Sequence, residues 1–69
     1  MTPIPVTVNG RPRELPEHAT LAELVAELSK APSGVAAAVN EAVVPRGSWP
    51  TTRLAAGDRV EILTAVQGG

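Results

Sequence analysis

The chain has 69 residues, which allows one domain, and its 43% apolar and 19% charged residues are the balance of a folded protein rather than a disordered one. It holds no cysteine and one histidine, His18, which excludes a disulfide framework, a thiolate metal site, a cysteine nucleophile and a zinc site built on histidines. The net charge is −1, the basic residues form no stripe and aromatic residues are 1% of the chain, so neither a phosphate-tracking surface nor a base-stacking platform is expected.

Ile4, Val6 and Val8 alternate with Pro5 and Thr7, which predicts a half-buried strand. Asn9-Gly10 follows, a pair that tolerates positive φ and marks a tight hairpin. The return strand, Arg11 to Leu15, carries Pro12 and is polar, as suits a sheet edge. Thr20-Leu21-Ala22-Glu23 has the spacing of a capping box and predicts a helix start. Leu21, Leu24, Val25 and Leu28 form its apolar stripe, and Glu23, Glu27 and Lys30 its wetter side. Pro32 and Gly34 predict its end near Ser29–Ala31. Val35, Ala37 and Val39 alternate with Ala36 and Ala38 as a strand, Asn40-Glu41 is a turn, and Ala42–Val44 a short strand. Pro45, Gly47 and Pro50 bracket an irregular stretch around Trp49. Leu54 anchors the next segment and Gly57-Asp58 a turn. Arg59 to Val66 is the strongest strand, with Val60, Ile62, Thr64 and Val66 on one face and Arg59, Glu61, Leu63 and Ala65 on the other.

This order predicts an α+β domain, a mixed sheet of four to five strands with one main helix packed across one face. The first and last strands can lie parallel, the helix serving in the crossover between them. That is the β-grasp, ubiquitin-like arrangement. One domain is expected over residues 1–66, with residues 67–69 as a C-terminal tail. The apolar runs are too short to span a bilayer, and Met1-Thr2-Pro3-Ile4-Pro5 lacks the charged and apolar regions of a signal peptide. A cytoplasmic location is the expectation.

The terminus is the most unusual local feature. A strong strand leads almost directly into Gln67-Gly68-Gly69. Two glycines make a thin tip able to thread a narrow channel, and three residues reach at most roughly 10 Å. The tip ends in an α-carboxylate, ionised at neutral pH, that could attack a nucleotide phosphate held by another protein. The plainer alternative is a frayed end.

The run Val39-Asn40-Glu41-Ala42-Val43-Val44-Pro45-Arg46-Gly47-Ser48-Trp49 is similar to the Val-Asn…Val-Pro-Arg…Trp run of the ThiS family, the sulfur carriers of thiamine biosynthesis. Leu54 through Gly69 resembles that family's C-terminal half, and Val6-Thr7-Val8-Asn9-Gly10 fits its opening strand. The resemblance implies a carrier and not an enzyme, a protein co-substrate on which partners act. Gly69 would be adenylated by an E1-like adenylating enzyme (ThiF type) using ATP and magnesium. Sulfur from a persulfide donor, such as a cysteine desulfurase system, would displace AMP to give a thiocarboxylate. Thiazole synthase (ThiG type) would receive that sulfur. Gly68 and Gln67 would thread the partner's channel. The carrier itself would bind no cofactor, metal, nucleic acid or membrane.

Other residues carry weaker suggestions. Leu63 falls on the sheet face without the helix, with Ala36 and Ala38 as candidate neighbours. It is either an ordinary exposed apolar residue or part of a docking patch that positions the tail. Arg46 could pair with a partner's acid, or be solvated or paired internally. Trp49 is read as a cover over one end of the core, His18 as an exposed loop residue, and Glu23 and Glu27 as capping and solubilising rather than metal-binding. Two other functions fit the pattern. One is a sister carrier for molybdopterin, cysteine or tRNA thiolation. The other, of a different class, is an RNA- or nucleotide-associated binding module resembling TGS domains, which share Gly57-Asp58-Arg59-Val60-Glu61-Ile62-Leu63. The missing basic face and the terminal diglycine speak against the second.

Overall fold

The computed structural model describes residues 2–29 and 34–64. Strands β1 (Ile4–Val8) and β2 (Arg11–Leu15) precede helix α1 (Leu21–Leu28); β3 (Val35–Val39), β4 (Ala42–Val44), a 3-10 helix (Arg46–Thr51) and β5 (Arg59–Thr64) follow. The strands form one sheet in the order β2-β1-β5-β3-β4. β1 and β5 are its parallel neighbours, while β1–β2, β3–β4 and β3–β5 are antiparallel. The helix lies over one face, as the element order predicts for a β-grasp.

The turns come from the residues that tolerate a left-handed backbone. Asn9 and Gly10 (φ 52° and 83°) close the first hairpin, and Asn40 and Glu41 (φ 51° and 72°) the second. Each turn fixes a register: Val8 faces Arg11, and Val39 faces Ala42. Polar, proline-bearing β2 takes the edge, where the absent N–H of Pro12 breaks no inner ladder.

Thr20 caps α1 as its spacing predicts. Its hydroxyl accepts from the Glu23 N–H at 3.2 Å, and the Glu23 carboxylate accepts from the Thr20 N–H at 3.0 Å. Leu21, Leu24 and Val25 are buried against the sheet, with Val6, Val8, Leu15, Ala19, Ala37, Trp49, Leu54, Val60 and Ile62 completing the core. The Leu21 N–H donates to Thr52 and the Leu54 N–H to Ala19, which ties the helix start to the segment that anchors Leu54.

Two expectations change. Leu28 has the angle of the apolar stripe but is 43% exposed. It lines an open groove with Val8, Arg11, Arg13, Ile62 and Thr64. The helix ends at Leu28 with Ser29 as its C-cap, the Ser29 N–H donating to Val25, at the near edge of the expected Ser29–Ala31; residues 30 and 31 lie outside the described residues. The stretch around Trp49 is not irregular but a 3-10 helix, held by the Ser48 N–H on Pro45 and by the Thr51 and Thr52 hydroxyls on the Ser48 carbonyl. β5 is described as far as Thr64, so the expected places of Ala65 and Val66 lie outside the described residues.

Candidate functional site

A sheet covered on one side has a second face to dispose of. In β5 the core side takes Val60 and Ile62, which leaves Arg59, Glu61 and Leu63 on the side away from the helix. Strand pairing then settles which residues share that open face. Ala36 lies opposite Leu63, Ala38 opposite Glu61 on one side, and Val43 opposite Ala38 on the other. Leu63 is 68% and Val43 78% exposed. The open face therefore carries a diagonal apolar band, Leu63-Ala36-Ala38-Val43. Charges border it: Glu61, and Arg59 paired to Glu41 at 3.2 Å.

The sequence reading thus placed Leu63, Ala36 and Ala38 together, and the pairing joins them. It missed Val43. The signal was present, because a two-residue turn at Asn40-Glu41 forces Ala38 opposite Val43. β4 is only three residues long, and its Ala-Val-Val shows no alternation to read.

Arg46 is not part of the band. It begins the 3-10 helix on the helix side of the molecule, its guanidinium 5.6 Å from the Trp49 ring centroid. It lines a shallow groove with Ala22, Val25, Ala26, Ser29, Trp49 and Pro50. Trp49 is buried, and its Nε1 donates to the Val44 carbonyl at 2.9 Å, so it closes one end of the core. His18 is exposed in the β2–α1 loop, at φ 72°. Glu23 serves the helix cap, and Glu27 pairs with Arg13. Among the described residues no group of three or more His, Cys, Asp or Glu could hold a metal, and no helix is long and apolar enough to cross a membrane.

β5 is the strand that leads to the C-terminus. Gln67, Gly68 and Gly69 lie outside the described residues. The start of β5 is held from both sides. Asp58 and Val60 accept from the Thr7 and Asn9 N–H groups at 3.0 and 2.9 Å. Asn40 brackets the start of the strand: its N–H donates to the Arg59 carbonyl at 2.7 Å, and its Oδ1 accepts from the Arg59 N–H at 2.9 Å. Its Nδ2 donates to Asp58 at 3.0 Å.

Comparison with known proteins agrees with this architecture. The family model described as "ThiS family" matches residues 6–69. A crystal structure of a thiamine biosynthesis protein (ThiS) from Geobacter metallireducens is 32% identical and superposes with a TM-score of 0.77, covering 96% of this chain and 100% of the other. A solution NMR structure of a thiamine biosynthesis protein from the same organism is also 32% identical, with a TM-score of 0.79 and coverage of 96% and 88%. No match is found among curated proteins. With a family match that runs from β1 to Gly69 and a sheet that superposes on such structures, this chain belongs to the ThiS family.

Proposed function

We propose that this protein is a sulfur carrier in thiamine biosynthesis, serving formation of the thiazole ring. The observation that carries the reading is the family match reaching Gly69, in a chain whose central strand β5 is followed five residues later by that glycine. The five residues beyond Thr64 span at most about 17 Å when extended, enough for the last carboxylate to enter a partner's nucleotide site while the domain stays outside.

The chemistry follows from that carboxylate. It is a poor electrophile. Attack by its oxygen on the α-phosphate of ATP, in an E1-like adenylating partner with magnesium, releases pyrophosphate and leaves AMP as a good leaving group. The outer sulfur of a partner's persulfide then displaces AMP to give an acyl disulfide, and a partner thiol cleaves its S–S bond by exchange, which leaves the partner sulfurs as a disulfide and Gly69 as a thiocarboxylate. Tethered to the carrier, that sulfur reaches thiazole synthase in held geometry. The catalytic groups belong to the partners, and the carrier supplies a tail and a surface. Gly68 and Gln67 thread the channel. The band of Leu63, Ala36 and Ala38, extended by Val43, is the docking surface, because its apolar area is exposed on the strand that leads to the tail. Arg46, on the helix side, meets only a partner that reaches around the domain.

Intact-mass spectrometry of protein isolated from cells with an active thiamine pathway tests the reading. A fraction with one carboxylate oxygen of Gly69 replaced by sulfur is expected. Its absence when thiazole synthase is removed, so that the charged form should accumulate, overturns the proposal. One residue appended after Gly69 is expected to abolish adenylation without changing the melting temperature, because the reacting carboxylate is displaced by a full residue.

A further inference from the structure

Beyond Val60, backbone pairing between β1 and β5 stops, because the chain turns at Asn9-Gly10 into β2. In a parallel ladder the Ile62 N–H would next bond the main chain of β1. The Asn9 side chain takes that place. Its Oδ1 accepts from the Ile62 N–H at 2.9 Å, and its Nδ2 donates to the Ile62 carbonyl at 3.1 Å. One carboxamide thus satisfies both backbone groups of Ile62, as a further strand residue would. Asn9 holds φ 52°, a conformation that asparagine tolerates and that lets its side chain point back along β5.

The alternation along β5 brings Thr64 next to this side. There the wall is an open groove formed by Asn9, Arg11, Pro12, Arg13 and Leu28. Thr64 is paired on its other side, to Val35 of β3. Asn9 is therefore the last group of the β1 side bonded to β5 among the described residues.

We infer that Asn9 is a positioning residue: its carboxamide clamps β5 at Ile62 and so fixes the position and direction of the strand from which the chain continues to Gly69. The use made of that geometry, aiming the Gly69 carboxylate into an adenylating partner, rests on the carrier reading. The clamp itself does not. Loss of the clamp lets the end of β5 swing on β3 alone, so that fewer docked molecules place the carboxylate for attack. Docking itself changes less, since Leu63 is held from the β3 side by Ala36. The signature is a lower kcat at nearly constant KM.

Asn9→Asp is the sharpest probe. It is nearly isosteric and keeps the acceptor for the Ile62 N–H, but it replaces the donor with a carboxylate oxygen facing the Ile62 carbonyl. Asn40→Asp is the comparison, because it too loses a carboxamide donor at a left-handed asparagine, but one that grips Arg59 and faces the Asp58 carboxylate at the start of β5, away from Ile62. Amide hydrogen exchange followed by NMR is read first, on the whole chain alone. In Asn9→Asp the Ile62 amide is expected to exchange at least about tenfold faster relative to Val60 and Ala37, whereas in Asn40→Asp that ratio stays at the wild-type value. An unchanged ratio in Asn9→Asp overturns the clamp. Adenylation kinetics are read second. A three- to tenfold fall in kcat with KM within twofold of wild type is expected for Asn9→Asp, beyond any fall in Asn40→Asp. Normal kcat with accelerated exchange overturns the positioning role. A wild-type chain that is not adenylated at all counts against the carrier reading, while the exchange result still decides the clamp.

Discussion

Replacing Leu63 by glutamate separates the stability of the domain from the use of its surface. Full burial of a leucine side chain contributes about 1.5–3 kcal/mol. Leu63 is 68% exposed, so about a third of that stabilisation already belongs to the fold, and about two thirds is available to a partner. The fold therefore stands to lose about 0.5–1 kcal/mol. In a domain of this size, where each kcal/mol moves the melting temperature by about 4–8 °C, the drop is about 2–8 °C. A partner that covers Leu63 loses about 1–2 kcal/mol, a rise of about 5- to 30-fold in the KM for the carrier. The new carboxylate, two residues from Glu61 on the same face, adds a desolvation cost when the face is covered. Pyrophosphate release by the adenylating enzyme at varied carrier concentration gives KM, and circular dichroism gives the melting temperature. An unchanged KM in a folded Leu63→Glu protein refutes the docking surface. Loss of the fold itself would show that the assignment of Leu63 to the open face is wrong.

Two further substitutions test the body of the domain. Thr20→Ala removes the hydroxyl that accepts from the Glu23 N–H, while the backbone N–H at position 20 can still donate to the Glu23 carboxylate, and is expected to destabilise by about 1 kcal/mol in urea denaturation. Trp49→Phe keeps most of the apolar cover but deprives the Val44 carbonyl of its donor, at a cost of about 1–3 kcal/mol by the same measurement; a loss below about 0.5 kcal/mol would mean that water replaces the indole N–H.

The parts of this fold that were legible in the sequence are those governed by neighbours along the chain. Asn9-Gly10 and Thr20…Glu23 act within a few residues, and both form as their chemistry predicts. Alternation identified β3 despite its three consecutive alanines, because Val35 and Val39 flank Ala37 on one face. It also placed Leu63 on the open face. What escaped depends on where elements end in space. Leu28 has the right helical angle, yet it is half-exposed on an open groove at the last turn of α1. The run Pro45 to Pro50 is rich in residues that end regular structure, yet it winds into a 3-10 helix, with Trp49 seated over the core. The bonds of Asn9 to Ile62 join residues 53 apart in the chain, and no local pattern announces them. Of the candidate site, the patch residues on β3 and β5 were legible by alternation. Val43 required counting register through a hairpin.

Val43 also decides how much of the open face a partner covers. It lies two strands from β5, and its cross-strand neighbour Ala38 is two residues along β3 from Ala36. With strands about 4.8 Å apart and about 3.4 Å per residue, Val43 sits about 12 Å from Leu63. Substitutions at that separation, with no shared contact, contribute independently. A partner that covers the whole band would then make Val43→Glu raise KM by a factor similar to that of Leu63→Glu, and the double variant would show the product of the two factors. A partner that grips only the root of the tail would leave Val43→Glu at the wild-type KM, with Leu63→Glu still impaired. The first result is expected. The sheet has one helix to bury one face, and the band of Leu63, Ala36, Ala38 and Val43 is continuous across three strands of the other. An isolated exposed leucine needs no partner, but a band that runs unbroken from β5 to the sheet edge at β4 is the shape of a surface meant to be covered.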